Sequence, residues 1–586
     1  MAEKPLKLKR ERAKTVVRAS RFTASANVLI DHEITHLDQP FTYGLPEDLK
    51  SEVEIGSRVL VPFKSEEREG IVLEILENQP STSKPIIRVL NRYAYSQRAL
   101  KLATEVASRY ASSIVKILRY IPEAYEREYS KKYDGGKLGV SRTFEHVSSL
   151  TKTRLVERLS TESKATLILL PTEREAEELF TQLSERFQER CVKAFARSKR
   201  PKTFPTSAIT IGTRAAIFWQ IPDLSSIVIF NENSDHYWSD RSPFWNVRDV
   251  ALIRSRLENI DLHFYSGFAS MEIYRLLDLG YLNLVKSSRR GFLQRRRVRS
   301  KPDSYHQSIR EGLKTGVVLV QVATKDYSTL VICKNCRCRP TCECGFQLKM
   351  LNKTDFSCSA CGLSTSEWKC TECGNKEKLL LSRGAQRIEE ELGKAFPAIP
   401  IYMSTANKAI EEAPNTGIVI ATPGMEPRNK KYSALILLDG ELQLNRPTMR
   451  AEERLLDNWF SLLQFVRDDA SIFVDLSYSN RVTQALNTDN PMRVAKALLL
   501  ERRRVKLPPW HRIVRIQGED LGAIQEQLRL QFKNAEVSKS IHSHEYVLRI
   551  PVEESERVIQ AIYALVKYRS ASRKALISVQ IDPHDL

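Results

Sequence analysis

Nine of the ten cysteines lie in one stretch, between positions 333 and 373, and most of them come in close pairs. Two thiolates separated by two residues can both turn onto one metal ion, and two such pairs complete a tetrahedron. The pairs are Cys333 and Cys336, Cys342 and Cys344, Cys358 and Cys361, and Cys370 and Cys373. Eight ligands predict two closed sites, in which metal stabilises a segment too small to bury its own core.

The expected metals are two Zn²⁺ ions per subunit, with an iron–sulfur cluster as the alternative. The predicted ligands are Cys333, Cys336, Cys370 and Cys373 for zinc 1, and Cys342, Cys344, Cys358 and Cys361 for zinc 2. Cys342 and Cys344 have one residue between them where two are usual, so Cys338 could replace a weak ligand. Otherwise Cys338 is a spare thiol, and Cys191 is expected to be a bystander.

The chain of 586 residues has a net charge of +20. This charge favours binding to a polyanion, because each neutralised phosphate releases counterions; a generally basic surface is the other interpretation. No apolar run approaches the ~20 residues that span a bilayer, and no apolar segment follows the basic N-terminus as in a secretory signal. We therefore expect a multidomain cytoplasmic protein that does not engage a membrane.

Hydrophobic patterning predicts an α/β multidomain chain. Short β-branched runs predict an N-terminal β-domain, helical spacing follows it, and two later regions of continuous apolar runs predict parallel sheets covered by helices. The second of these regions brackets the cysteines, which therefore form an insertion. The predicted parts are a basic disordered arm (1–25), the β-domain (26–93), a helical domain (94–135), lobe 1 (140–300), lobe 2 (301–332 and 379–490), the zinc-binding insertion (333–378) and an α+β C-terminal domain (491–586).

The densest run of positive charge lies between Lys286 and Lys301. We interpret it as a linker that can lie along a phosphate backbone, with a solvated hinge as an equally good alternative. The candidate contacts to the DNA backbone are Arg289, Arg290, Arg295, Arg296, Arg297 and Arg299.

Taken together, these parts resemble the PriA family of bacterial replication restart proteins. The resemblance rests on residues 37–46, 56–63, 211–214, 507–510 and 581–583 and on the paired cysteines between two helicase-like lobes. It implies a domain that holds the 3′ end of a nascent strand, a winged helix over 94–135, and two RecA-like lobes. It also implies branched or forked DNA, single-stranded DNA-binding protein and the primosome and replicative helicase loading proteins as partners, in the nucleoid.

By position, the resemblance assigns the 3′-end pocket to Phe41, Thr42, Tyr43 and Gly56. The family's pocket is usually described with an acidic residue, and Thr42 cannot supply that charge. An ordinary β-hairpin is the alternative interpretation of these residues.

The chain departs from the family at every expected catalytic part. The phosphate loop G-x-x-x-x-G-K-[ST] is absent, although it is needed to cradle the nucleotide's phosphates. Residues 231–234 read Asn-Glu-Asn-Ser where the family has Asp-Glu-Glu-His, and the arginine-rich motif expected near 464–469 is missing. The lobes thus resemble the degenerate ones of actinobacterial PriA-like proteins, which argues against ATP as a cofactor and against any enzyme activity.

The leading hypothesis is a replication restart protein without helicase activity, which recognises stalled or branched forks and helps to assemble the primosome. One alternative is an active ATP-dependent 3′–5′ DNA helicase with an unrecognised nucleotide site. The other is a zinc-ribbon adaptor that binds proteins rather than DNA.

Overall fold

The computed structural model describes residues 22–585 apart from short gaps. The gaps are 82–83, 125–138, 148–150, 197, 199, 286–296, 324–327, 337, 340, 346–347, 351–354, 359–360, 367–368, 447, 520 and 540–544. The chain forms two compact units, a first unit of residues 22–103 and 113–124 and a second unit of 104–112 and the described residues from 139 onwards. Among the described residues, no helix is both long and apolar enough to cross a membrane.

The first unit is built on an antiparallel sheet of order β2-β1-β4-β3-β5. Its elements are β1 (Phe22–Ile30), β2 (Pro40–Leu45), β3 (Arg58–Phe63), β4 (Glu66–Ser81), β5 (Arg88–Asn91), α1 (Gln97–Arg109), whose last residues belong to the second unit, and α2 (Ile114–Leu118). Alternating residues such as Val59 and Val61 fill the core. The predicted β-domain is confirmed. The winged helix is not, because the described residues 94–124 contain two helices and no strand.

Lobe 1 is a seven-stranded sheet of order β12-β6-β11-β10-β7-β9-β8, in which every pair is parallel. Its elements are β6 (Arg142–His146), α3 (Thr151–Thr161), β7 (Ala165–Leu169), α4 (Glu173–Phe187), β8 (Cys191–Ala194), β9 (Ile209–Gly212), β10 (Leu224–Phe230), α5 (Val247–Glu258), β11 (Asp261–Ser266), α6 (Met271–Asp278) and β12 (Asn283–Val285). All of β7 is buried, as expected of a strand covered on both faces.

Lobe 2 begins with β13 (Arg297–Lys301), α7 (Tyr305–Leu313) and β14 (Val318–Gln321). The chain then leaves the lobe for the cysteine-rich insertion, whose strands are β15 (Ser328–Cys333), β16 (Leu348–Met350), β17 (Phe356–Cys358), β18 (Ser364–Thr365) and β19 (Lys378–Arg383). The strands β15 and β19 pair with each other and form the stem through which the insertion leaves and rejoins the lobe.

After the insertion, lobe 2 is completed by α8 (Ala385–Ala395), β20 (Ile401–Ser404), β21 (Ile418–Ala421), β22 (Tyr432–Leu437), α9 (Gly440–Leu444), α10 (Ala451–Leu462), β23 (Val466–Ser477) and α11 (Arg481–Thr488). Its sheet, of order β13-β23-β22-β14-β21-β20, is again parallel throughout. The interpretation of 286–301 as a linker is therefore wrong for residues 297–301, which form an edge strand paired with β23.

The C-terminal part combines α12 (Pro491–Arg504), β24 (His511–Gln517), α13 (Leu521–Gln531), β25 (Glu536–Lys539), β26 (Glu545–Pro551), α14 (Ser555–Ala571) and β27 (Ser578–Ile581). Its four strands form an antiparallel sheet of order β25-β26-β24-β27. This is the α+β arrangement that the alternating pattern predicts.

Candidate metal centres and nucleic-acid interface

Eight of the cysteines meet in two groups of four. Cys333, Cys336, Cys370 and Cys373 form one, and Cys342, Cys344, Cys358 and Cys361 form the other. Within each group all four sulfur atoms lie within 4.8 Å of one another. These are the two predicted ligand sets, and either group could hold a metal ion.

The sulfur spacing suits one tetrahedral ion in each group. The Sγ atoms of Cys333 and Cys373 are 3.5 Å apart, and those of Cys342 and Cys361 are 3.6 Å apart. A tetrahedron with metal–sulfur bonds of ~2.3 Å has an edge of about 3.8 Å. Every thiol pairs across its group with a thiol that is distant in sequence, so one metal would tie separate turns together.

Tight turns bring the members of each pair together. Gly374, with φ of 71°, donates its N–H to the Cys370 carbonyl at 2.9 Å. In the shortened pair, Gly345 donates to the Cys342 carbonyl at 2.8 Å, which closes the same kind of turn with one residue fewer. A glycine at positive φ avoids the strain that a side chain would suffer there. The short spacing therefore still lets both sulfurs converge.

Cys338 takes no part in either group. Its side chain is exposed, and its carbonyl accepts a hydrogen bond from the Cys333 N–H at 2.8 Å. The spare-thiol interpretation of Cys338 thus agrees with the structure, and Cys344 occupies the fourth position of the second group.

An aromatic and lysine cluster lies at one end of the sheet in the first unit. The Phe41 ring meets the Phe63 ring edge to face at 5.4 Å, and His32 stacks on Phe63 at 6.3 Å. Two exposed lysines flank these rings: the Lys64 Nζ lies 5.8 Å from the Phe63 ring, and the Lys84 Nζ donates to the Lys64 carbonyl at 3.2 Å. Rings on which bases can stack, beside cations that can pair with phosphate, are typical of single-strand binding.

The four residues assigned to the 3′-end pocket do not form one set. Phe41 belongs to the cluster, and Tyr43 is buried beneath it with its hydroxyl donating to the Pro62 carbonyl at 3.2 Å. Thr42 points to the other face of the sheet, where it donates to Asn27 at 2.9 Å. Gly56 is buried, and a Cβ there would lie 1.8 Å from the Tyr95 carbonyl oxygen. Gly56 therefore serves the packing of the chain.

Sequence reasoning missed the other members of this cluster, His32, Phe63, Lys64 and Lys84. The available signal was an aromatic residue and a lysine side by side at the end of β3. His32 and Lys84 come from separate loops, and only the folded sheet brings them to the same end.

Most of the arginine run lies outside the described residues, which include only Arg297 and Arg299. Arg297 is exposed on β13. The Arg299 guanidinium binds both carboxylate oxygens of Glu311, at 2.7 and 2.8 Å, and also donates to Ser471 at 2.8 Å. This pairing lowers the pKa of Glu311 and leaves the Arg299 guanidinium already engaged within lobe 2.

Comparison with known proteins finds a matched domain that lies mostly in the first unit. Residues 27–122 match the family model of the 3′DNA-binding domain (3'BD) of PriA. The probable replication restart protein PriA of Mycobacterium leprae is 27% identical over 85% of this chain and 88% of its own length. The replication restart protein PriA of Rickettsia conorii is 24% identical over 71% and 74%. The resemblance to the PriA family is confirmed.

The matched segment reaches beyond the β-domain, since it extends through α1 and α2 to residue 122. A solved structure of Saccharomyces cerevisiae Dbp5, described as bound to RNA and ADP BeF3, is 11% identical and covers 61% of this chain and 89% of that chain, with a TM-score of 0.33. With a TM-score this low, the comparison adds nothing to the fold described above.

A cleft of 310 Å³ lies between the two lobes and is lined by Thr172, Glu175 and Asn233 of lobe 1 and by Arg428 and Asp457 of lobe 2. Only residues 170–172 connect β7 to α4. A carboxylate, Glu175, lies in the first turn of α4 and forms an ion pair with Arg428 from the other lobe. Burial would raise the pKa of Glu175, but Arg428 outweighs it and the pKa is lowered.

The single carboxylate of the 231–234 segment does not line this cleft. Glu232 is 1% exposed and accepts hydrogen bonds from the Ser270 N–H at 2.6 Å and the Ser270 hydroxyl at 3.1 Å. It therefore supports the start of α6, which Ser270 caps. Burial raises the pKa of Glu232.

Proposed function

We propose that this chain recognises forked or branched DNA that carries a 3′ end, and that it acts in replication restart without hydrolysing ATP. The observation that carries the proposal is the match of residues 27–122 to the 3′DNA-binding domain, together with the aromatic and lysine cluster in that segment. The net charge of +20 supports a DNA partner.

The cluster suits the end of a single strand. Phe41 and Phe63 are partly exposed, so a terminal base can stack on them at little cost in side-chain ordering. Lys64 and Lys84 supply charge for the adjacent phosphate without a fixed hydrogen-bond pattern. Contacts of this kind do not read base sequence, as a protein acting at any stalled fork requires.

Two features of the cleft support the absence of ATP hydrolysis. The connection of three residues before α4 is too short for the loop that wraps phosphates, which needs about five residues before its lysine. The N-terminus of α4, where backbone N–H groups would favour a phosphate, already holds the Glu175 carboxylate. A triphosphate would meet that negative charge and would have to displace Arg428.

We assign zinc to both cysteine groups, because four thiolates in a closed tetrahedral set suit a structural Zn²⁺ better than a hard cation. Such an insertion would present a rigid surface to partners, for which single-stranded DNA-binding protein and the primosome and helicase loading proteins are our candidates. The same proposal places the protein in the cytoplasm, at the nucleoid.

The test is fork binding measured by fluorescence anisotropy across a salt series, beside an ATPase assay with and without DNA. Three forks are compared: one with a free 3′-hydroxyl end at the branch, one with that end phosphorylated, and one without an end at the branch. We expect the first to bind most tightly, with affinity falling as salt rises, and no hydrolysis above background.

Two results would overturn the proposal. Hydrolysis stimulated by DNA would favour the helicase alternative. Equal affinity for all three forks, or no binding at low salt, would remove the 3′-end role and favour the adaptor. A metal-replete preparation is used throughout, so that loss of the insertion's fold does not affect either result.

A further inference from the structure

The backbones of the two lobes come into close contact at Gly267. The segment after β11 brings Gly267 of lobe 1 against α10 of lobe 2. A Cβ at Gly267 would lie 2.4 Å from the Ser461 nitrogen and 2.5 Å from the Asp457 carbonyl oxygen. Backbone atoms cannot move aside as a flexible side chain can, so only glycine permits this approach.

Carboxylates of α10 then bind backbone N–H groups of lobe 1 on either side of this contact. Asp457 accepts a hydrogen bond from the Phe268 N–H at 2.9 Å, and Glu453 accepts one from the Met271 N–H at 3.1 Å. Glu453 is buried, so the loss of its hydrogen bond would be costly, and Asp457 lines the cleft. Separation of the lobes would break both hydrogen bonds, although Glu453 would keep its contacts with Arg450 and Arg502.

Two ion pairs complete the junction. Arg450 of lobe 2 binds both carboxylate oxygens of Glu272 of lobe 1, at 2.5 and 3.0 Å, and the Arg450 side chain is 3% exposed. At the cleft, Arg428 pairs with Glu175, and both are largely buried. A buried charge that loses its partner is strongly destabilised, so the Arg428 pair is not easily opened. Arg450 and Glu272 would each keep a second partner, Glu453 and Arg248 respectively.

We infer that these contacts lock the two lobes in one relative arrangement, which needs no nucleotide and is not switched by one. Lobes that move about a hinge usually meet through small, partly wet interfaces. Here a close backbone contact, carboxylate caps on main-chain N–H groups and two buried ion pairs join the same two lobes. A ligand can shift a protein from one conformation to another only if it binds the second conformation more tightly. In this cleft, the Glu175 carboxylate lies where a phosphate of ATP would bind.

Lobes held in one arrangement can serve as a rigid support for the insertion. Because the insertion leaves lobe 2 between β14 and α8, a fixed junction holds the base of the insertion at a constant position relative to lobe 1. A rigid platform avoids the entropy cost of ordering two lobes when a partner binds. This inference goes beyond the proposed function and does not require fork binding, since lobes could be locked in a chain that binds no fork; it shares with that proposal only the absence of a phosphate site in the cleft.

The test measures the distance between the lobes in the full chain. Native cysteines hold the metal, so a ketone-bearing amino acid is introduced at the exposed positions Glu185 on α4 and Lys394 on α8 and labelled by oxime chemistry with two fluorophores. Single-molecule energy transfer is recorded alone, with ATP, with ADP and with fork DNA. We expect one narrow population that none of the three changes.

Gly267→Ala is the disrupting variant, and Gly393→Ala is its matched control, because a Cβ at Gly393 meets nothing within 4 Å. We expect Gly267→Ala to broaden or split the distribution and Gly393→Ala to leave it unchanged. If Gly267→Ala does not fold, Glu272→Gln takes its place. A shift with nucleotide in the unaltered chain, or an unchanged distribution in the disrupted variant, would overturn the lock. Neither result bears on fork binding, whose failure would leave the lock standing.

Discussion

The Cys344 sulfur lies 3.4 Å from the Cys358 sulfur, although Cys344 is separated from its own pair member by one residue only. Cys338, which could have replaced it, is exposed and outside both groups. This relationship decides which thiols complete the second metal site, and it leads to the first prediction.

Metal content distinguishes Cys344 from Cys338. We expect about two zinc ions per chain in the unaltered protein and in Cys338→Ser, and about one in Cys344→Ser, because three thiolates hold zinc much less tightly than four. The number of zinc ions per chain is measured by elemental mass spectrometry of each protein after extensive dialysis. A loss of zinc in Cys338→Ser would contradict the assignment.

Binding to the 3′ end depends on the two phenylalanines. We expect Phe63→Ala to weaken binding to a fork with a free 3′ end by about tenfold, since stacking on one ring contributes ~1–3 kcal/mol. Phe41→Ala should have a similar effect. Thr42→Val is the control, because Thr42 faces the other side of the sheet. Anisotropy titrations with the free-ended fork measure the affinity of all three variants. If Thr42→Val weakened binding as much as Phe63→Ala, the cluster would not be the binding site.

Arg299 should matter for stability and not for DNA. Its guanidinium is engaged with Glu311 and Ser471, so we expect Arg299→Ala to destabilise lobe 2 by about 1 kcal/mol and to leave the salt dependence of fork binding unchanged. Arg297→Ala is the comparison, because Arg297 is exposed on the same strand. Chemical denaturation and salt titrations measure the two effects. A smaller salt slope in Arg299→Ala would show that this side chain does bind phosphate.

Stability should depend on pH through Asp457. Burial raises the pKa of this carboxyl to about 7, above that of an exposed aspartate, so the folded state holds the proton more tightly than the unfolded state. The stabilisation is fully present below about pH 4 and is lost as pH rises through about 7. We therefore expect Asp457→Asn to flatten the fall in melting temperature between about pH 4 and about pH 7. Asp278→Asn, on the surface, is the control. If melting temperature fell with pH equally in Asp457→Asn and in the unaltered chain, Asp457 would not cause the pH dependence.

Removal of Arg428 should destabilise the chain strongly, because it leaves Glu175 buried without its partner. We expect Arg428→Gln to cost about 3–5 kcal/mol in the free energy of unfolding. Arg467→Gln is the matched control: its partner Asp469 is exposed, so the expected cost is below about 1 kcal/mol. Denaturant titrations compare them. Equal costs would show that the pair between the lobes is no stronger than a surface pair.

Local patterns accounted for much of the fold. Continuous apolar runs such as residues 166–170 and 226–230 predicted buried parallel strands, and both are found in the sheet of lobe 1. Such runs are reliable because a strand covered on two faces needs apolar residues at every position. The helices of residues 94–124 suggested a winged helix only through resemblance. No local pattern specified a wing, and the described residues there contain none.

Positions that depend on distant partners were not predictable. Residues 297–301 carry three charges and resemble a linker, yet they form a strand because β23 offers an edge to pair with. Hydrogen bonding of the backbone decided this, and side-chain polarity did not reveal it. Glu175 pairs with Arg428, which lies 253 positions further along the chain.

By itself, the sequence determined which chemistry is available: eight cysteines in four pairs, a strongly basic chain, and no phosphate loop. These are matters of residue type and short spacing, which the chain carries before it folds. Only the tertiary structure decided that Cys344 completes the second site. It also decided that His32, Phe41, Phe63 and Lys84 meet at one end of a sheet, and that Gly267 of lobe 1 packs against α10 of lobe 2. Each of these is a contact between distant segments, and sheet register and packing set such contacts.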